Sequence, residues 1–364
     1  MKGAFYFIFF VCYFLFASCS HVSQSNFTII DLINHIQLPK EEILLSDISE
    51  SIEMIYLETN DSVLVSRISN INVEVNKLYV QASNGVFVFD SDGKFLNSIS
   101  ARGRGPREYV SLSCIFPEED VIWLLDNSGK KALKFTVSGK FLEDFEFEKQ
   151  MFTDFYYSGG DSFIGFIPDN GQPNTDIMLA FFTATGIVDS ILYRNPISVG
   201  NIYWSVGGEA SFINHRAQIK FKHLFNDTIY VIQDNMLIPD MVLDLGARKA
   251  NENARAIAVN KDSRTHDICE GMDKAILKGE SDRYVCLRIA NDYPPLYYDV
   301  LFYDKKEQKV HKWEFILPED ERLDHEQAKK FVPMYIDKNG NLIGQTAPAN
   351  EEDNPVIVIA KLKH

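Results

Sequence analysis

Three observations predict an all-β chain folded as a six-bladed β-propeller, closed by N- and C-terminal strands that share one blade. A hairpin motif recurs with a blade-length period, six short apolar strands each follow a turn residue, and helical periodicity is scarce.

The motif is plainest at Val86–Leu96 and Ala132–Leu142. Each is an apolar strand, a tight turn ending Gly93-Lys94 or Gly139-Lys140, and a return strand opening Phe-Leu. The two glycines lie 46 residues apart, and a weaker copy places Gly186 a further 47 residues on. A glycine belongs there because a tight hairpin needs a positive φ, which it adopts without a Cβ clash. Tyr298–Glu307 reads as another copy that has lost its glycine. The strands preceding the hairpins are Asn76–Val80, Asp120–Leu125, Asp161–Phe166, Asp227–Ile232, Asp282–Leu287 and Gly340–Gly344. Their later intervals are wider, which implies loop insertions.

An open ring would leave two sheet edges unpaired. Ile52–Leu57 and Val356–Leu362 are therefore expected in one sheet. Only Ile30–Ile36 and Glu319–Lys330 pass as helical. The second has acids in its first turn and Lys329-Lys330 in its last, which complements a helix dipole, and it reads as an insertion between the fifth and sixth blades.

The first residues are not part of the fold. Lys2 precedes an apolar run from Ala4 to Ala17, shorter than the roughly 20 residues a spanning helix needs. A charged start, an apolar core and small residues before a break describe a secretory signal. The break, Phe16-Ala17-Ser18-Cys19, resembles a bacterial lipobox, with Phe16 where leucine is usual and Leu15 one residue earlier. The expected organisation is a lipoprotein signal peptide over 1–18, lipid attachment at Cys19, a polar tether over 19–27 and the propeller over 28–364. An ordinary signal with an incidental cysteine is the alternative.

The formal net charge of −15 argues against nucleic acid, which selects basic surfaces, and against adhesion of the protein surface to anionic lipid. A hydrophobic content of 46% suffices for a packed core. Beyond Cys19 the mature chain holds Cys114, Cys269 and Cys286, an odd number that makes no complete disulfide framework. Cys269 and Cys286 are either a pair or two small buried hydrophobes.

One segment carries a family resemblance. It runs Phe89-Asp90-Ser91-Asp92-Gly93-Lys94-Phe95-Leu96, then Ile99, then Gly103-Arg104-Gly105-Pro106-Arg107-Glu108-Tyr109. This resembles the six-bladed β-propeller lipoproteins of Gram-negative bacteria, a family related to NHL-repeat propellers, although Arg107 stands where glycine is common. Ile52–Thr59 looks like that family's opening strand, and Phe221–Tyr230 with Leu243-Asp244-Leu245-Gly246 looks like its fourth blade. The resemblance implies the fold over nearly the whole mature chain and fixes no activity.

Candidate site residues are few. Arg102, Arg104 and Arg107 form a charged cluster in a glycine-rich loop. They would either grip an anion or, with Glu108, tie one blade to the next. The loop lacks the dinucleotide and P-loop templates. His215 and His223 flank Lys220 and Lys222, with no His-Glu-x-x-His or Cys-x-x-Cys pair nearby, so surface or loop histidines are expected and no metal site or cofactor. Aromatic groups at Phe155-Tyr156-Tyr157, Tyr203-Trp204 and Tyr293–Tyr298 are candidate loop platforms for a ligand, or packing between blades. The tentative ligand-binding set is Arg102, Arg104, Arg107, Tyr203, Trp204 and His223. Glu351-Glu352-Asp353 reads as a solvated loop.

The function expected is a lipid-anchored, non-catalytic module that binds an envelope protein or a glycan or peptide ligand. It would sit on the outer membrane facing the periplasm, since no acidic export-like cluster follows Cys19. The alternative is a channel-sited lyase or hydrolase of the NHL-like type. Three convergent histidine or acidic ligands in the channel would favour the enzyme.

Overall fold

The Val-, Ile- and Phe-rich segments do form strands. The computed structural model describes residues 27–364, except 62, 75, 147–151, 153, 168–176, 193–209, 250–271, 291–298, 324–328, 349 and 351. Three strands come first: β1 (Thr28–Asp31), β2 (Glu41–Leu44) and β3 (Ser49–Tyr56). Blade 1 is β4 (Ile68–Glu74), β5 (Lys77–Ala82), β6 (Gly85–Asp90) and β7 (Phe95–Ile99). Blade 2 is β8 (Leu112–Glu118), β9 (Val121–Asp126), β10 (Lys131–Thr136) and β11 (Phe141–Glu146). Blade 3 is β12 (Asp154–Gly159), β13 (Ser162–Phe166), β14 (Ile177–Thr183) and β15 (Gly186–Leu192).

Blade 4 is β16 (Ala210–His215), β17 (Gln218–His223), β18 (Thr228–Gln233) and β19 (Met236–Asp244). Blade 5 is β20 (Lys274–Glu280), β21 (Tyr284–Ala290), β22 (Asp299–Asp304) and β23 (Lys309–His311). Then β24 (Trp313–Ile316) leads into blade 6, which is β25 (Lys330–Ile336), β26 (Asn341–Thr346), β27 (Val356–Leu362) and the N-terminal β3. Six sheets thus make six blades, as the sequence predicts.

Closure works as expected. β27 and β3 pair antiparallel from Val356↔Tyr56 to Leu362↔Ser49. The chain ahead of β3 adds two further strands. β1 runs parallel along the outer edge of β19, and β2 runs parallel to β24, so the N-terminal segment belts blades 4, 5 and 6 before closing the ring. Belting covers strand edges that would otherwise template association.

The core is divided by blade interface. Tyr79, Val86 and Val88 of blade 1 pack on Ile115, Ile122, Leu124 and Leu133 of blade 2. Ile343 and Ile357 of blade 6 pack on Ile71, Leu78, Val80 and Phe89 of blade 1, so apolar burial also runs across the seam. Between blades 2 and 3 the contact is aromatic, with Trp123 edge-on to Phe163 at 5.3 Å between ring centroids.

The hairpin glycines bear out their reading, with φ of 83° at Gly93, 84° at Gly139 and 113° at Gly186. In blade 5 the turn without glycine uses Gln308 at φ 53°. Asp227–Ile232 is the third strand of blade 4, where the corresponding segments of the other blades are second strands, because Gln218–His223 supplies the second after a turn at Arg216 and Ala217. Two expectations need correction. Ile30–Ile36 is not helical: Ile30 lies in β1 and turns follow. Glu319–Lys330 is not a helix in its described part. Asp320 folds back to accept the Arg322 backbone N–H at 2.9 Å and pairs with the Arg322 guanidinium, which satisfies the acid locally, and Lys330 already begins β25.

Candidate ligand-binding channel

The innermost strands β4, β8, β12, β16 and β20, with the C-terminal half of β25, surround a central channel of about 480 Å³. Period-2 alternation would aim every second side chain inward. The strands depart from it: register shifts interrupt β4 at Ile68/Asn70, β8 at Leu112/Cys114, β12 at Tyr157/Gly159, β20 at Leu277/Gly279 and β25 at Pro333/Tyr335. Such bulges re-aim side chains and are common beside functional sites.

The lining mixes amides, aromatics and charges. Asn70, Asn72, Tyr156, Phe116, Phe212 and Asn214 contribute surface from blades 1 to 4. Asn214 donates to the Tyr156 hydroxyl at 3.0 Å and so ties blade 4 to blade 3 across the wall. Glu74 and Lys338 form an ion pair at 2.6 Å across the seam between blades 1 and 6. Asp337 is committed to its own turn. It accepts backbone N–H bonds from Asn339 at 2.9 Å and Asn341 at 2.8 Å, while burial holds its carboxyl above the usual value. Cys114 also lines the channel, and burial pushes its thiol up to about 12, so it is no nucleophile at neutral pH.

Lys278 stands apart. It lies in the β20 bulge, lines the channel and has no hydrogen-bond or ion-pair partner among the described residues. Burial, reinforced by the neighbouring Arg288 guanidinium, lowers its ammonium to about 8. Elsewhere in the same lining, the Asn72 side-chain nitrogen of blade 1 is buried and likewise unpartnered.

The residues singled out from the sequence fall elsewhere. Arg102, Arg104 and Arg107 are all exposed in the loop from blade 1 to blade 2. Arg107 covers the Phe141 ring at 5.3 Å from its centroid, and Glu108 accepts the Gly105 N–H at 2.8 Å within the loop. The loop is pinned by Asp126, fully buried, whose carboxylate accepts the N–H groups of Val110 at 2.7 Å, Ser111 at 3.0 Å and Gly129 at 2.9 Å. The expectation of surface histidines is corrected. His215 is buried with 8% exposure, and His223 has 0%, its ring packed on Phe166 at 5.4 Å and near Phe225. Phe155-Tyr156-Tyr157 is no loop platform. It forms β12, with Phe155 and Tyr157 packed into the interface of blades 2 and 3 and Tyr156 in the channel. Tyr203, Trp204, Cys19, Tyr293–Tyr298 and Cys269 lie outside the described residues. Cys286 is a free, buried thiol in the core between blades 5 and 6.

Among the described residues, one trio of metal-capable side chains converges, Asp304, Glu307 and His311 on blade 5 away from the channel lining. Its centre already holds a cation, because Arg283 lies 2.6 Å from Asp304 and 3.4 Å from Glu307. The channel carboxylates Glu74, Asp154 and Asp337 do not form such a trio.

The signal for Lys278 was weak in the sequence. It sits in Lys274–Glu280, where alternation alone does not say which lysine faces the axis. No described helix is long and apolar enough to cross a membrane.

The fold is shared with a solved structure. A protein of Bacteroides fragilis, presumed to be exported, is similar at 16% identity with a TM-score of 0.66, over 93% of this chain and 100% of that one. Streptogramin B lyase is 12% identical over 86% of this chain and 98% of its own, with a TM-score of 0.44. No curated protein matches the sequence. A family profile spans residues 27–361, practically all of the propeller, and the chain belongs to that family, the domain of unknown function DUF4934.

Proposed function

We propose that the protein is a non-catalytic binding module of the cell envelope, lipid-anchored through Cys19 at the outer membrane and facing the periplasm, whose ligand occupies the central channel. The channel itself carries the reading. Its volume of about 480 Å³ falls within the ~300–1,000 Å³ of small-molecule sites, and its walls present amides and aromatic rings, with no metal-binding trio in the lining among the described residues. The signal-like start and the Ala17-Ser18-Cys19 break support export and anchoring. The exposed arginine loop and the Tyr203-Trp204 segment remain candidates for contact with a larger partner.

The test blocks the channel. Asn70 is half-buried in the lining, and Asn70→Trp fills the space before it with an indole. Monosaccharides, amino acids and dipeptides are screened for thermal stabilisation of both forms. Stabilisation confined to the wild type supports the reading. Compounds that stabilise both forms equally would place binding outside the channel and refute it. Labelling with radioactive palmitate, abolished by Cys19→Ala, checks the anchor.

A further inference from the structure

We infer that the channel is a carboxylate site, taking a small monoanionic ligand whose carboxylate pairs with Lys278 and whose remaining body lies against Tyr156 and Phe212. The inference rests on the channel being the binding site, and it adds the chemical class of what binds.

The argument starts from charge. A buried ammonium costs free energy unless a counter-charge or hydrogen-bond acceptors satisfy it. Other buried lysines of this fold meet that demand from within. Lys220 has Asp240 at 2.7 Å and Glu280 at 2.5 Å. Lys222 donates to the carbonyls of His223 and Asn226. Even Lys338, exposed at the rim of the same channel, has Glu74. Lys278 has none of these among the described residues, yet it stands half-buried on an inner strand in the channel lining.

The acids that could neutralise it are engaged elsewhere. Glu74 is held by Lys338, Asp337 by its turn, and Asp154 accepts the Ala210 N–H at 3.2 Å. The unmet positive charge therefore faces the cavity. Asn72 adds a second unmet donor in the same lining, and a turn of its amide would present that nitrogen to the cavity. The ammonium suits a carboxylate, and the Asn72 amide, on another blade of the same lining, is a donor for a further polar group of the ligand. The ring faces of Tyr156 and Phe212, tilted by 39° with centroids 6.2 Å apart, offer apolar contact to what the carboxylate is attached to. A dianion is disfavoured, because Lys278 is the one uncompensated cation among the described lining residues.

The test uses matched pairs that differ only in the acid: glucuronate and glucose, benzoate and benzamide, N-acetylalanine and its amide. Each is titrated calorimetrically into the full chain, into Lys278→Met and into Asn70→Trp. At least one acid should bind the wild type at least tenfold more tightly than its neutral counterpart, and Lys278→Met should remove that preference. Lys278→Met should also melt above the wild type at pH 7, because it relieves a buried unpaired charge, so loss of binding cannot be laid to misfolding. Acids and neutral partners binding alike, an acid preference that survives Lys278→Met, or no acid binding at all would overturn the carboxylate assignment. Neutral compounds that bind the wild type but not Asn70→Trp would leave the channel as the binding site while ending its assignment to carboxylates.

Discussion

Asn354 is the residue on which closure can be tested most directly. It precedes β27, is 4% exposed, and reaches into the turn that carries the chain from β3 to blade 1. Its side-chain oxygen accepts the Val65 N–H at 2.7 Å, and its side-chain nitrogen donates to the carbonyls of Val63 at 2.7 Å and Glu58 at 2.8 Å. Asn354→Ala leaves three backbone groups without these partners. At about 1 kcal/mol or somewhat more for each group left unsatisfied, the loss is about 3–4 kcal/mol. Equilibrium urea unfolding followed by tryptophan fluorescence reads this as a fall in midpoint at unchanged slope. Asn350→Ala is the control. Its side chain accepts one exposed N–H, from Glu352 at 3.3 Å, and its removal should cost less than about 0.5 kcal/mol. Asn354→Asp should be as damaging as alanine, since it points a carboxylate at two carbonyls. A loss below about 1 kcal/mol for Asn354→Ala, or an Asp variant as stable as wild type, would refute the claim that this amide stitches the seam.

Three further outcomes follow from the geometry. Gly279 has φ 136°, and a Cβ there would lie 2.2 Å from the Ile336 carbonyl, so Gly279→Ala should destabilise by more than about 3 kcal/mol, against about 1–2 for Gly186→Ala, where φ is 113° and nothing lies within 4 Å; urea midpoints decide. Lys278 binds fewer protons folded than unfolded between about 8 and its ordinary 10.5, so its cost is full below that window and fades as pH rises through it. The stability advantage of Lys278→Met should accordingly be about 3 kcal/mol at pH 7 and vanish by pH 10.5. It must be measured as a difference from wild type, because Cys114 and Cys286, both pushed by burial to about 12, destabilise the fold as pH rises above 9. At Glu280, burial opposes ionisation, but Lys220 and Lys305 outweigh it and hold the carboxyl below its ordinary value. That stabilisation is complete above about pH 4.5 and is lost as pH falls through the lower folded value, so Glu280→Gln should weaken the wild-type fold at pH 7 and lose less of its stability on acidification.

The blades were legible where backbone conformation demands a particular residue. Gly93 and Gly139 mark hairpins because their φ values near +84° exclude most side chains, and their spacing then reports the blade period. The second strand of blade 4 went unmarked for the converse reason: Arg216 and Ala217 take φ of 51° and 60° without any glycine, so the turn left no signature, and Gln218–His223 reads as an alternation of polar and apolar residues with two lysines. Burial of Lys220 depends on partners far along the chain, Asp240 and Glu280, which local pattern does not reveal. The site was less legible than the fold. Which residue of Lys274–Glu280 faces the axis is decided by a bulge, and a bulge inverts the parity on which strand reading relies.

The pairing of β27 with β3 joins residues about as distant as this chain allows. Bringing the ends of a loop of some 300 residues together costs about 5 kcal/mol of chain entropy by logarithmic scaling, before any contact offsets it. The two interfaces of blade 6, against blades 5 and 1, mature only after that payment, because part of each rests on β3 and part on β27, some 300 residues later. A chain truncated just before β27 would therefore hold five well-formed blades beside a frayed sixth. Folding should be cooperative around the whole circle, and a nascent chain should stay unlocked until its last strand is delivered.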